Sequence, residues 1–259
     1  MAYARAMLGS KSGKSGKASK AGAAKHWRSE QLQGSSFERC DLGQAQLVSC
    51  NLTEAKLERC VAQRLQLRDT DLNHLDGNDV CLDDAKLVNI SAQRMELTDA
   101  NLSGSKLSDV DLSSIRLENA ALKQLDLKDL DLAELKLDDA ALRGAKLSNL
   151  DATGAALNDA DLSGAQLTDV KLSQAKLSDI EAQGLELSDA NLRAARFEDV
   201  DLAGAQLKNI KLSEARFEDV DFERAQLKDV SLKGVVIEDA DITGLTINGV
   251  RIDSLLAKQ

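Results

Sequence analysis

The sequence predicts a repeat solenoid, and three observations carry that prediction. From Leu32 to Ile252 every fifth residue is Leu, Phe or Ile, over 45 consecutive positions without an insertion; the exceptions are Ala62, Gly77, Ala92, Ala152 and Ala182. Two residues before each of these centres stands a second apolar or small residue, from Cys40, Ala45, Cys50 and Ala55 on to Val250. The 259 residues include no proline, one Trp, one Tyr and four Phe, too little aromatic surface for an ordinary core of this size.

A period of five matches neither the 3.6 of a helix nor the 2 of a strand, so the repeat is the unit to interpret. A solenoid stacks each coil on the last and pairs backbone groups between coils. Proline would delete one of those bonds wherever it fell, which accounts for its absence. Where the centre shrinks to Ala, the next inner residue is often large (Leu65 after Ala62, Met95 after Ala92, Leu185 after Ala182), as constant interior volume requires. A longer period is superposed: the blocks beginning at Ile90 and Ile180 share Ala-Gln near their starts and Asp-Val-Asp-Leu further on, the trace of a duplicated thirty-residue unit.

Just before many centres stands Asp or Asn, as in Ala160-Asp161-Leu162-Ser163-Gly164 and Ala190-Asn191-Leu192. This unit resembles the pentapeptide-repeat family. The resemblance implies an all-β fold, a right-handed quadrilateral parallel β-helix with four pentapeptides per coil and the centre and the residue two before it pointing inward. About 11 coils at the strand spacing of ~4.8 Å would make a rod roughly 54 Å long with short terminal caps. The chain divides on this reading into an N-terminal arm at 1–28 with a cap near 21–31, a β-helix over 29–248 and a C-terminal cap over 249–259. Trp27 is placed to cover the first coil. At the other end Asp253 would N-cap a turn of helix that lays Leu255 and Leu256 on the last coil.

Charge is split along the chain. Residues 1–29 carry Arg5, Lys11, Lys14, Lys17, Lys20, Lys25 and Arg28 and no acid; all 43 acids follow, against the remaining 26 of 33 bases. The arm has the Gly-Ser-Lys composition of a chain that buries no apolar surface, and its charge suits nucleic acid, an anionic membrane, a partner, or the acidic body itself. Gly13-Lys14-Ser15 lacks the spacing and context of a phosphate-binding loop.

The acids are ordered. From Asp69 to Asp239 every tenth residue is Asp or Asn, with Asn at 89, 119, 149 and 209. Because a coil takes twenty residues, the Asp residues should fall in two stripes on opposite sides of the rod. One holds Asp69, Asp109, Asp129, Asp169, Asp189 and Asp229; the other holds Asp79, Asp99, Asp139, Asp159, Asp179, Asp199, Asp219 and Asp239. Each rung is close to the Asp/Asn column that precedes the centre. Lys, Arg or Gln at alternate positions (Lys56, Arg116, Lys176, Arg196, Arg216) leaves the other sides mixed or basic. Asp and Asn at bends serve the backbone by hydrogen-bonding nearby N–H groups and stacking between coils. A stripe of them also suits a macromolecular partner.

Catalysis finds no constellation. His74 is the only His of the repeat region and points outward, with no nucleophile at useful spacing. Cys40, Cys50 and Cys60 hold inner positions as small hydrophobes, Cys40 and Cys60 one coil apart in the same column; Cys81 falls outward and is the expected reactive thiol. Neither the cysteines nor the stacked carboxylates make a metal motif, and no cofactor is expected. No apolar run is long enough to span a membrane and no secretory signal is visible, which points to the cytoplasm with signal-less secretion as the alternative. The expected function is a rigid, non-catalytic scaffold for a macromolecular partner. The resemblance adds two alternatives, a DNA-mimicking modulator of gyrase or another DNA-binding enzyme and an adaptor or effector of a bacterial secretion system. It also adds a homodimer through a terminal face.

Overall fold

The computed structural model describes residues 26–256; the arm residues Arg5 to Lys25 and the last three residues lie outside the described part. Short strands alternate along the chain between two parallel sheets of thirteen and eleven strands, and the eleven-stranded one counts the turns. Every parallel neighbour in a sheet is displaced by twenty residues, as in Leu127↔Leu147 and Phe197↔Phe217. Backbone bonds join each coil to its neighbours, for instance from Leu52 N–H to Asp71 O at 2.7 Å and from Lys56 N–H to Ser35 O at 2.9 Å.

Each half-coil turns two corners of different kinds. At the first, the N–H of the fourth residue closes on the carbonyl of the first, as Leu65 does on Ala62 at 3.1 Å, and the third residue, Arg64, has φ of 57°. That is the signature of a type II turn. Five residues later the chain bends without that closing bond, through a residue with φ near 50°, here Asp69. Four positions per ten residues point inward: Leu162, Ala165, Leu167 and Val170 are all at least nine-tenths buried. One continuous aliphatic core results, from Ala45 to Leu245.

Local departures are absorbed inside. At Gly77, where a Leu is usual, a Cβ would stand 2.5 Å from Leu97 Cδ2, so the neighbouring coil already fills the space. Ser105, fully buried, donates to Leu82 O at 2.8 Å and accepts from Ala85 N–H at 3.0 Å. Phe197 and Phe217 stack at 4.5 Å, with Phe222 edge-on to Phe217.

The ends differ from the sequence expectation. The strand His26–Arg28 pairs with Gln46–Val48, so the coil begins inside the segment assigned to the arm, and Trp27 sits half-buried in register with Leu47. At the C-terminus a helix does form over Asp253–Leu256, but none of its residues is buried and Leu255 and Leu256 are half-exposed. They do not cap the rod. The antiparallel pair Thr246–Ile247 and Val250–Arg251 crosses the end instead, with Ile247 and Ile252 packed on the core. Nor is Asp253 the N-cap: the carbonyl of Ile252 accepts the first helical bonds. The Asp253 carboxylate accepts from Gly244 N–H at 2.9 Å and pairs with Arg251, which ties the tail back to the last coil. These contacts hold the carboxyl of Asp253 far below the usual carboxylate range. No helix among the described residues is long and apolar enough to cross a membrane.

Candidate interaction surface

The Asp ladder occupies the corners that lack a closing hydrogen bond. All eighteen rungs, Asp69 to Asp239 with their four Asn, have φ between 50° and 57°. Two columns result, on diagonally opposite corners, and every rung but Asp129 is exposed. Short polar side chains are the L-residues that best tolerate this left-handed backbone. That reason is incomplete, because the type II corner imposes the same φ. There the chain uses Gly104, Gly144, Gly154 and Gly164, but also Arg64, His74, Gln124 and Glu134, without regard to charge. The backbone therefore does not dictate a carboxylate at the ladder.

Hydrogen bonding separates the two acidic columns. The Asp or Asn just before each centre closes an Asx turn: Asp111 accepts from Ser113 N–H at 3.0 Å, Asp161 from Ser163 at 2.9 Å and Asp201 from Ala203 at 2.8 Å. The pKa of Asp151 is lowered chiefly by the Thr153 hydroxyl, against slight burial and with help from Lys171; that of Asp241 is lowered chiefly by Thr243. In the ladder itself, Asn89, Asn149 and Asn209 donate across one coil to Asp69, Asp129 and Asp189 at 2.5–2.6 Å, and Asn119 does so to Asp99. The other ten ladder carboxylates accept no hydrogen bond among the described residues.

The two corners are unequal. On the one carrying Asp169 and Asp189, the adjoining column is interrupted by Lys171, paired with Asp151 at 3.2 Å, and by Lys211. On the other, from coil to coil, the pairs Asp159/Asp161, Asp179/Glu181, Asp199/Asp201, Asp219/Asp221 and Asp239/Asp241 follow without a break. A shallow groove lined by Asp159 and by the pairs Asp179/Glu181, Asp199/Asp201 and Asp219/Asp221 runs along this corner, floored by Ile180 and Val200. Among the described residues only one of these ten carboxylates is ion-paired, Asp161 with Arg143 at 3.1 Å. The sequence places each rung beside this column; the inequality of the two corners went unread, although its signal is there: acid at both positions flanking the inner residue, five times at a spacing of twenty.

Elsewhere, His74 is exposed on a type II corner. Cys50 and Cys60 are buried and Cys40 is half-buried. Cys81 is outward, and partial burial, with Asp83 beside it, pushes its pKa up. Among the described residues no group of three or more His, Cys, Asp or Glu is placed to hold a metal ion.

A square coil of five-residue sides defines a class of protein, the pentapeptide-repeat solenoid. The chain belongs to the pentapeptide-repeat family: the model of a pentapeptide repeat region matches residues 151–227, and that of eight-copy pentapeptide repeats matches 35–73, 78–113, 111–149 and 210–249. Among solved structures it is similar to HetL of the cyanobacterium Nostoc sp. strain PCC 7120, a pentapeptide repeat protein involved in heterocyst differentiation regulation. That match has 24% identity, covers 87% of this chain and 92% of that one, and has a TM-score of 0.36. A trypsin-treated form of QnrB1, a plasmid-mediated fluoroquinolone resistance protein, matches at 17% identity over 91% of this chain and 95% of its own, with a TM-score of 0.32. A thylakoid-lumen pentapeptide repeat protein of Arabidopsis thaliana matches at 24% over 51% and 68%, with a TM-score of 0.26. No curated protein matches the chain.

Proposed function

We propose that the protein is a rigid, non-catalytic scaffold that binds a basic macromolecular partner along the acidic corner from Asp159 to Asp241. The observation that carries this reading is the excess of carboxylates over what the fold needs. The type II corner, with the same left-handed φ, accepts Gly, Arg, His and Gln, yet the ladder keeps Asp at fourteen of eighteen rungs. Ten of those carboxylates accept no hydrogen bond among the described residues. Like charges stacked one coil apart repel, so a partner that neutralises them is the offsetting gain.

A second reading, mimicry of duplex DNA toward gyrase or another DNA-binding enzyme, is favoured by local charge density. Over the whole body the net charge is about one per 3 Å of rod, against one per 1.7 Å in the duplex. In the paired groove two acids per coil of ~4.8 Å give about one per 2.4 Å, which is nearer to the duplex.

Asn replaces Asp naturally at four rungs, so Asp159→Asn, Asp179→Asn, Asp199→Asn and Asp219→Asn together should leave the fold intact. Affinity capture with the wild-type and this variant side by side tests the reading. A partner retained by the wild-type and lost by the variant supports it, and release of that partner by duplex DNA supports mimicry. Identical capture by both proteins would sink the acidic corner as the binding surface.

A further inference from the structure

Residues 40 and 60 face each other across the first two coils. Strand register pairs Phe37 with Leu57 and Glu38 with Glu58, and Val61 N–H bonds to Cys40 O at 2.9 Å, so Cys40 and Cys60 are stacked in one inner column. Their Cα atoms are then one coil spacing apart, ~4.8 Å, inside the window of roughly 4.4–6.8 Å that a disulfide spans. Cys60 is 1% exposed, and its Sγ is 3.3 Å from the carbonyl oxygen of Phe37, in the coil of Cys40. Cys40 is half-buried and so open to solvent on one side.

We propose that Cys40 and Cys60 are an oxidisable pair that closes into an inter-coil disulfide, stapling the first coil of the solenoid to the second. The oxidant is a low-molecular-weight disulfide. The half-exposed Cys40 exchanges with it, forming a mixed disulfide and releasing one small thiol. The Cys60 thiolate then attacks the Cys40 sulfur, forming the Cys40–Cys60 bond and expelling the second small thiol. Two protein thiols are oxidised, one small disulfide is reduced to two thiols, and the protons leave on them. In the reduced pair the thiol of Cys40, hydrogen-bonded to Cys60, draws the pKa of Cys60 down to about 7 against the burial that opposes it, which shows the two sulfurs in contact. Cys81 makes no such pair with another cysteine; partial burial pushes its pKa up. The remaining inner cysteine, Cys50, belongs to the column half a coil away.

The full-length protein with Cys50→Ala, reduced and then exposed to oxidised glutathione at mildly alkaline pH, tests the proposal. Ala is the commonest residue of the inner small column, so this change leaves the coil filled. The expected result is loss of two of the three remaining thiols, a monomer, and a tryptic cross-link between residues 40–56 and 60–64. Adding Cys60→Ala should stop the reaction at glutathione on Cys40. Three thiols left unreacted, a cross-link to Cys81, or a bond between two chains would overturn the assignment, and circular dichroism of the β-sheet distinguishes each from misfolding.

Discussion

Single residues of this solenoid answer to backbone geometry as much as to chemistry. Asp199 stands at φ of 53° with its side chain in solvent. Asp199→Asn should leave the melting temperature almost unchanged, whereas Asp199→Val, β-branched in a left-handed conformation, should cost roughly 1–2 kcal/mol in urea unfolding. Gly77 responds to volume. Its missing side chain is replaced by Leu97 from the next coil, so Gly77→Leu, which restores the repeat consensus, should destabilise by about 1–3 kcal/mol. A melting temperature raised by that change would contradict the packing described. The sequence marked Gly77 as an exception but could not show what filled its place. It likewise placed Cys81 outward without showing the partial burial, with Asp83 beside it, that makes its thiol less acidic. A contact between residues twenty apart decides the first case and one between residues two apart the second, and periodicity locates such neighbours without giving their geometry.

At the scale of the corner and the strand, the Asx turns make the fold sensitive to acid. The folded pKa values of Asp111, Asp151, Asp161 and Asp241 are all lowered. Their contribution is therefore complete above the ordinary carboxylate pKa of about 4 and drains away as pH falls through the lower folded values. Thermal melts should show a flat stability down to about pH 4 and a decline below it. The decline should be shallower in a variant with Asp111→Asn, Asp151→Asn and Asp161→Asn, since Asn51 and Asn191 close the same turn without a titrating group. The aromatic cluster is the other element to probe: Phe217→Ala removes the ring that touches both Phe197 and Phe222 and should cost about 3–5 kcal/mol. The strands and inner columns were legible in the sequence because five-residue spacing leaves few alternatives. The corner types were not, because both kinds share the same spacing and the same left-handed residue two after the centre, and differ only in a closing hydrogen bond.

For the whole molecule, the coil length of twenty residues governs what changes the fold tolerates. Removing 122–141 excises one full coil and restores every column, so the shortened protein should keep its β-sheet spectrum and a cooperative melt. Removing 122–126 puts all downstream ladder rungs over type II corners and should abolish that cooperativity. Comparable melts from the two deletions would mean that the columns do not matter. The ends were the least legible part of the fold. Leu255 and Leu256 have the composition of a cap, but the hairpin at Thr246–Arg251 had no signal in the five-residue rhythm, and it is what crosses the last coil.

The Asn rungs at 89, 119, 149 and 209 keep to a grid of thirty residues, the same length as the duplicated block in the sequence. Thirty residues are one and a half circuits of this rod. Each copied block therefore enters half a circuit out of phase with its parent, and its amide tie to the Asp beneath is delivered to the opposite edge. Growth by that increment places neutral rungs on both edges, at 89, 149 and 209 on one and at 119 on the other, while the grid position 179 is Asp and lies within the unbroken acidic run from Asp159 to Asp241. An ancestor extended by blocks of twenty would have piled every tie on one side.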